Sequence, residues 1–360
     1  MKPKDRVLQA IRHFCTDRVP FDWWATGETM NKICRYFSLS EEDILKKLNI
    51  DIRYAGFDIN MADFERQSDG SYQKKLDHQH FVDIWGVTRK RIGEYLEVVN
   101  NPLASMENEK EIEKFKLPDI SNFDIEKAKL AAFCDFAIIF TGDRLSTRTS
   151  FFKLAMYLRG FENFLLDLVT NQKIAEALTG KLFEFHYLLN KKIFENYSKN
   201  IDIFMMGDDF GTQTGPLIGI ETFRQFFKQP LKRMIELCHQ YEIKAMLHSC
   251  GSIKIFIPDL IEIGLDILNP IQHTASQMDL KELKKEFGKY ICFHGAVDVQ
   301  KVLPFGTKEE IIEEVKRCID ILGENGGYIF APSHNIQADV PTENIITMYE
   351  AALQHSTLRY

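Results

Sequence analysis

Five short apolar runs in the second half of this chain each end in residues suited to binding a ligand or a metal. Phe204-Met205-Met206 leads to Gly207-Asp208-Asp209, and Ala245-Met246-Leu247 leads to His248-Ser249-Cys250-Gly251. Asp266-Ile267-Leu268 leads to Asn269-Pro270-Ile271-Gln272, Tyr290-Ile291-Cys292-Phe293 to His294-Gly295-Ala296-Val297-Asp298, and Tyr328-Ile329-Phe330 to Ala331-Pro332-Ser333-His334-Asn335. Apolar runs this short have the length of buried strands. The stretches between them are long enough for the right-handed crossovers that parallel neighbours require. In a closed parallel barrel every strand ends at one rim, so these polar groups are expected to converge on one pocket.

Counted along the whole chain, the strand candidates are Phe21–Trp24, Asp51–Phe57, Phe136–Phe140, Ile201–Met206, Ile243–His248, Leu265–Asn269, Tyr290–His294 and Tyr328–Ala331. An open doubly wound sheet would show similar alternation, but it favours a Gly-rich phosphate turn after its first strand, and none is present. The expected fold is therefore α/β, a (β/α)8 TIM barrel formed by a single domain over residues 1–360. Val7, Leu8, Ile11 and Phe14 predict a helix over 5–16, an N-terminal helical segment leading into the first strand. Two more helices are expected at Glu28–Phe37 and Glu41–Leu48, the latter with Ser40 as N-cap. Alternating aromatics over 64–99 suggest antiparallel strands, a small inserted β region near the rim. Residues 101–119 read as a helical connector.

A formal charge of -7 with no long basic block speaks against a nucleic-acid partner bound by general electrostatics. No apolar run approaches membrane-spanning length, and the first residues lack the features of a secretory signal, so the expectation is a cytoplasmic protein with no membrane partner. The seven cysteines are an odd number without regular spacing, which does not suggest a disulfide framework.

His248 and Cys250 are the strongest candidates for chemistry. Residues two apart in an extended segment point the same way, so imidazole and thiol can address one point in space. Nitrogen and sulfur donors suit Zn2+, which keeps an open position in catalytic sites. His334, Asp208 or His294 could complete the site from the same rim. Asp208 and Asp209 are adjacent carboxylates that point to opposite faces, so one of them is expected to face the pocket. Asn269, Gln272 and His294 are candidates for orienting a substrate, and Trp23 for lining a flat ligand.

Taken in order, Met206-Gly207-Asp208-Asp209-Phe210-Gly211-Thr212-Gln213, His248-Ser249-Cys250-Gly251-Ser252, Phe293-His294-Gly295-Ala296-Val297-Asp298, Ala331-Pro332-Ser333-His334-Asn335-Ile336 and Pro341-Thr342-Glu343-Asn344 resemble the uroporphyrinogen decarboxylase superfamily. The resemblance implies a (β/α)8 barrel, a fold whose members often pair as homodimers, and one of two chemistries. The decarboxylase branch holds its substrate's carboxylates with an Arg-Gln-Ala-Gly-Arg motif. Here that place reads Trp23-Trp24-Ala25-Thr26-Gly27-Glu28-Thr29-Met30, without either arginine. The zinc-dependent, corrinoid-linked methyltransferase branch carries His-x-Cys and a later Cys. His248 and Cys250 match the first two, and His334 stands where the third ligand is expected. The resemblance thus implies catalysis by Asp208, His248 and Cys250, with zinc on His248, Cys250 and His334. The corrinoid would come from a partner protein, and a small molecule would donate or accept the methyl group. A carboxy-lyase of porphyrin metabolism and a non-catalytic tetrapyrrole-binding barrel are the alternatives.

Overall fold

The computed structural model describes residues 1–67, 71–92, 95–142, 145 and 151–357. Its centre is a curled sheet of seven parallel strands, β1 Ile52–Ala55, β2 Ala137–Thr141, β3 Ile203–Gly207, β4 Lys244–His248, β5 Ile267–Ile271, β6 Cys292–Val297 and β7 Tyr328–Pro332. Each strand pairs with its neighbour in sequence. The segment predicted as the first strand makes bridges rather than a continuous strand. Phe330 N donates to Pro20 O and Asp22 N to Phe330 O, each at 2.9 Å, and on the other side Asp51 N donates to Phe21 O at 2.9 Å.

Side chains of a strand alternate between its two faces, and here both faces are covered, so the strands read as unbroken apolar runs. Ile52, Ile139, Ile203, Met205, Met246, Ile267, Cys292 and Ile329 form one inner cluster with Trp24. Val7 and Ile11 of the helix Pro3–Ile11 join the same cluster. The alternate residues, among them Phe204, Leu247, Leu268, Phe293 and Phe330, pack into the larger core that includes the helices. Truncating an inner residue such as Met205, which has no exposed surface, is expected to cost about 2–5 kcal/mol.

The first helix is shorter than its periodicity suggests. It stops at Ile11, leaving Phe14 60 % exposed beyond its end. The next two helices occupy Gly27–Phe37 and Glu41–Lys47, and Ser40 Oγ caps the second by accepting from Asp43 N. The connector at 101–119 is helical only over Glu109–Lys114. The inserted region is a five-stranded antiparallel sheet of Glu65–Arg66, Tyr72–Lys75, His80–Asp83, Thr88–Ile92 and Tyr95–Asn100. Within that insertion, 68–70 and 93–94 lie outside the described residues. Among the described residues no helix is long and apolar enough to cross a membrane.

Candidate metal centre

His248 is the last residue of β4, and the alternation that turns Met246 inward turns its imidazole inward too. The end of β3 lies alongside, with Gly207 opposite His248 and Asp208 N donating to His248 O at 2.9 Å. The two following loops are tied together. Phe210 N donates to Ser249 Oγ at 3.0 Å, Ser252 N to Thr212 O at 2.8 Å, and Cys250 N to the Asp209 carboxylate at 3.1 Å. Gly211 and Gly251 permit the approach. A Cβ on Gly211 would lie 2.6 Å from Cys250 O, and one on Gly251, whose φ is +82°, 2.6 Å from Thr212 O.

Three donor atoms of different kinds meet at this junction. His248 Nε2 lies 3.3 Å from Cys250 Sγ and 3.4 Å from Asp209 Oδ1, and the three ligand atoms are all within 4.8 Å of one another. A tetrahedral zinc ion bound by nitrogen and oxygen at about 2.0–2.1 Å and sulfur at about 2.3 Å separates its ligand atoms by about 3.3–3.6 Å. The two distances from His248 Nε2 and the chemistry of the three donors therefore fit zinc. The ligand side chains are not sealed in, since Asp209 keeps 27 % of its side-chain surface exposed and His248 7 %.

Charge is balanced locally. Burial opposes ionisation of Asp209, but the hydrogen bond and charge of His248, with Lys153 beside them, hold its carboxyl well below the usual range. Lys153 Nζ donates to Asp209 Oδ2 at 2.6 Å; burial disfavours its charge, yet the charge of Asp209 outweighs this and raises its pKa. The Cys250 thiol is pushed well above its ordinary pKa, first by burial and then by Asp209. A metal ion must therefore displace the thiol proton to use this sulfur.

Beneath the three donors, His248 Nδ1 is 2.7 Å from Asn269 Oδ1, Asn269 Nδ2 is 2.6 Å from His294 Nδ1, and His294 Nε2 is 2.9 Å from Asp22 Oδ2. Trp24 packs its ring 5.4 Å from that of His248 and 5.5 Å from that of His294.

The candidates from sequence divide accordingly. His248 and Cys250 come together, joined by Asp209. Asp208 is held elsewhere. Its carboxylate accepts from Phe151 N, Phe152 N and Lys153 N at 2.8, 3.0 and 2.9 Å, which anchors the start of the helix Phe152–Arg159 and with it Lys153. Burial raises the pKa of Asp208 to about 6 against those three bonds. His334 is exposed, and its ring nitrogens are not among the clustered ligand atoms. Desolvation nevertheless lowers its pKa, opposed by the negative charge of Asp209. Asn269 and His294 are completely buried in the inner network, and Gln272 Oε1 accepts from Gly251 N at 3.0 Å. Trp23 stacks on Tyr349, with ring centroids 5.8 Å apart, while its neighbour Trp24 takes the place against His248. Sequence reasoning missed Lys153 and Asp22. Strand alternation alone puts Asp22 on the face of Trp24, but nothing local marks Lys153.

The family model described as Uroporphyrinogen decarboxylase (URO-D) matches residues 145–355, more than half of the chain. The Methylcobamide:CoM methyltransferase MtbA of Methanosarcina acetivorans is 22% identical over 361 residues, covering 97% of this chain and 97% of that protein. A Methylated-thiol--coenzyme M methyltransferase of Methanosarcina mazei is 24% identical over 197 residues, 53% of this chain and 50% of the relative. Among solved structures, a methyltransferase from Methanosarcina mazei superimposes with a TM-score of 0.66 at 15% identity, covering 98% of this chain and 99% of that one, a likeness of fold.

Proposed function

The chain belongs to the uroporphyrinogen decarboxylase family, and on that premise we propose that it is a zinc-dependent methyltransferase moving a methyl group between a small molecule and a corrinoid carried by a separate protein. The observation that carries this reading is the meeting of Asp209, His248 and Cys250 at the ends of β3 and β4. Two relatives similar over all or half of the chain are named as methyltransferases, one acting on a methylcobamide and both on coenzyme M. A carboxy-lyase is not favoured, because Trp23–Met30 offers no arginine to substrate carboxylates.

In this reading the seven strands and the segment at Phe21 are the staves of one closed eight-stranded barrel, a single domain over 1–360, with its site at the C-terminal rim. His248, Cys250 and Asp209 would hold zinc. His334 stands outside the three-donor cluster and is not a ligand in this reading. When bound, zinc supplies Lewis acidity that lowers the pKa of an incoming thiol or stabilises the charge left on a departing heteroatom. Cys250 and Asp209 would contribute two negative charges, which would make a metal held there more electron-rich. Lys153 draws charge from Asp209 and fixes the direction of that carboxylate. Asp208 does no chemistry itself; it holds the helix that carries Lys153.

The test is metal analysis of protein purified without chelator, joined to methyl transfer from methylcobalamin to a small thiol. Near-stoichiometric zinc and transfer, both lost in His248→Ala and Cys250→Ala, are expected. Metal-free wild-type protein that turns over a porphyrinogen carboxylate would replace this reading with the carboxy-lyase.

A further inference from the structure

Four buried side chains run in a hydrogen-bonded line away from the ligand atoms: His248, Asn269, His294 and Asp22, none more than 5% exposed. The line ends on Asp22 Oδ2, which also accepts from the Tyr54 hydroxyl. Asp22 stands 272 positions before His294 in the chain, so this end of the line is supplied by a distant strand segment.

A neutral imidazole carries one N–H, and the group facing the other nitrogen decides which nitrogen bears it. From Asp22 inward, one neutral assignment satisfies every bond. His294 donates from Nε2 to the carboxylate and keeps a lone pair on Nδ1. Asn269 then donates its Nδ2 to that lone pair, which turns its Oδ1 toward His248. His248 must donate from Nδ1, which leaves Nε2 as the nitrogen facing Asp209 Oδ1 and Cys250 Sγ, where a metal ion would replace the proton it shares with Asp209. With the amide of Asn269 turned over, His294 would set a lone pair against the Asp22 carboxylate, and His248 would aim an N–H where a metal donor is needed.

We propose that Asp22 is a remote positioning residue which, through His294 and Asn269, sets the tautomer of His248 and presents Nε2 as a donor atom. The benefit to metal binding rests on the zinc reading above; the tautomer itself does not.

Full-length protein stripped of metal and carrying 15N-labelled histidine reports the tautomers by NMR, with the His248 signal identified by its loss in His248→Gln. The expected result is N–H on Nδ1 of His248 and on Nε2 of His294. The opposite tautomer at either ring overturns the proposal, and that reading is made on the wild-type protein. Asp22→Leu is expected to mix the His248 tautomers and to weaken zinc binding, read by competition with a chromogenic chelator, tenfold to a hundredfold. Asp22→Asn, whose amide oxygen still accepts from His294 and Tyr54, is expected to restore the wild-type tautomer and most of the affinity. A folded Asp22→Leu with unchanged His248 tautomer overturns the proposal. Expected tautomers in a wild-type protein that takes up no zinc refute the zinc reading and support the relay, so the two failures are distinguishable.

Discussion

Gly211→Ala probes how far the centre depends on the contact between the loops that follow β3 and β4. The added Cβ would lie 2.6 Å from Cys250 O, 2.8 Å from Ile253 Cγ2 and 2.9 Å from Ser252 N, where ordinary contact begins at 3.4 Å. Two of those three atoms are backbone, so rotation of a side chain cannot relieve them. The loops must separate by about 0.8 Å, the difference between 3.4 and 2.6 Å. Zinc sites tolerate about 0.2 Å in each bond, so a shift of that size moves Cys250 out of range of an ion held by Asp209 and His248. Overpacking of this kind costs about 1–3 kcal/mol. The expected outcome is a modest fall in the urea midpoint together with at least a tenfold loss of zinc affinity by chelator competition. Gly215→Ala is the matched control, because its Cβ would meet nothing within 4 Å. It is expected to leave zinc binding unchanged and to alter stability by no more than about 0.5 kcal/mol. Equal zinc affinity in Gly211→Ala, Gly215→Ala and wild type would refute the claim that this contact sets the ligand geometry.

Asp51 accepts from Arg6, Arg18 and Phe21 N while wholly buried, so Asp51→Ala leaves two guanidinium groups without their partner there; a loss of about 3–5 kcal/mol is expected in urea unfolding. Lys153→Met removes the 2.6 Å bond to Asp209 but no zinc donor, so zinc content is expected to stay near stoichiometric while methyl transfer slows, measured with methylcobalamin and a small thiol. Asp208 gives a pH signature. Its folded pKa is raised to about 6 from the ordinary 3.8, so its contribution to stability is fully present below about pH 4 and is lost as pH rises through about 6. The shift corresponds to about 3 kcal/mol. Subtracting the stability of Asp208→Asn from that of wild type between pH 4 and pH 8 should give a curve that falls across this window and then levels; a flat difference contradicts the burial argument.

Strand alternation made much of the site legible. A period of two places Met246 and His248 on one face, and likewise Ile267 with Asn269 and Cys292 with His294, whatever the tertiary details. The same rule states that Asp208 and Asp209 diverge, but not which one turns to His248 and Cys250. That choice was settled by the backbone N–H groups at 151–153, which claim Asp208. Trp23 and Trp24 pose the same problem, and only the packing of Trp24 against His248 and His294 resolves it.

What the sequence alone determined is seven of the short buried strands, the helices between them, and a His-x-Cys pair turned to one side, because these follow from local periodicity and spacing. What the tertiary structure decided is which distant groups meet that pair. Lys153 reaches Asp209 across 56 positions and Asp22 reaches His294 across 272, and no local pattern records either meeting. Such partners are chosen by the register of strands and the curl of the sheet, which depend on the packing of the whole chain.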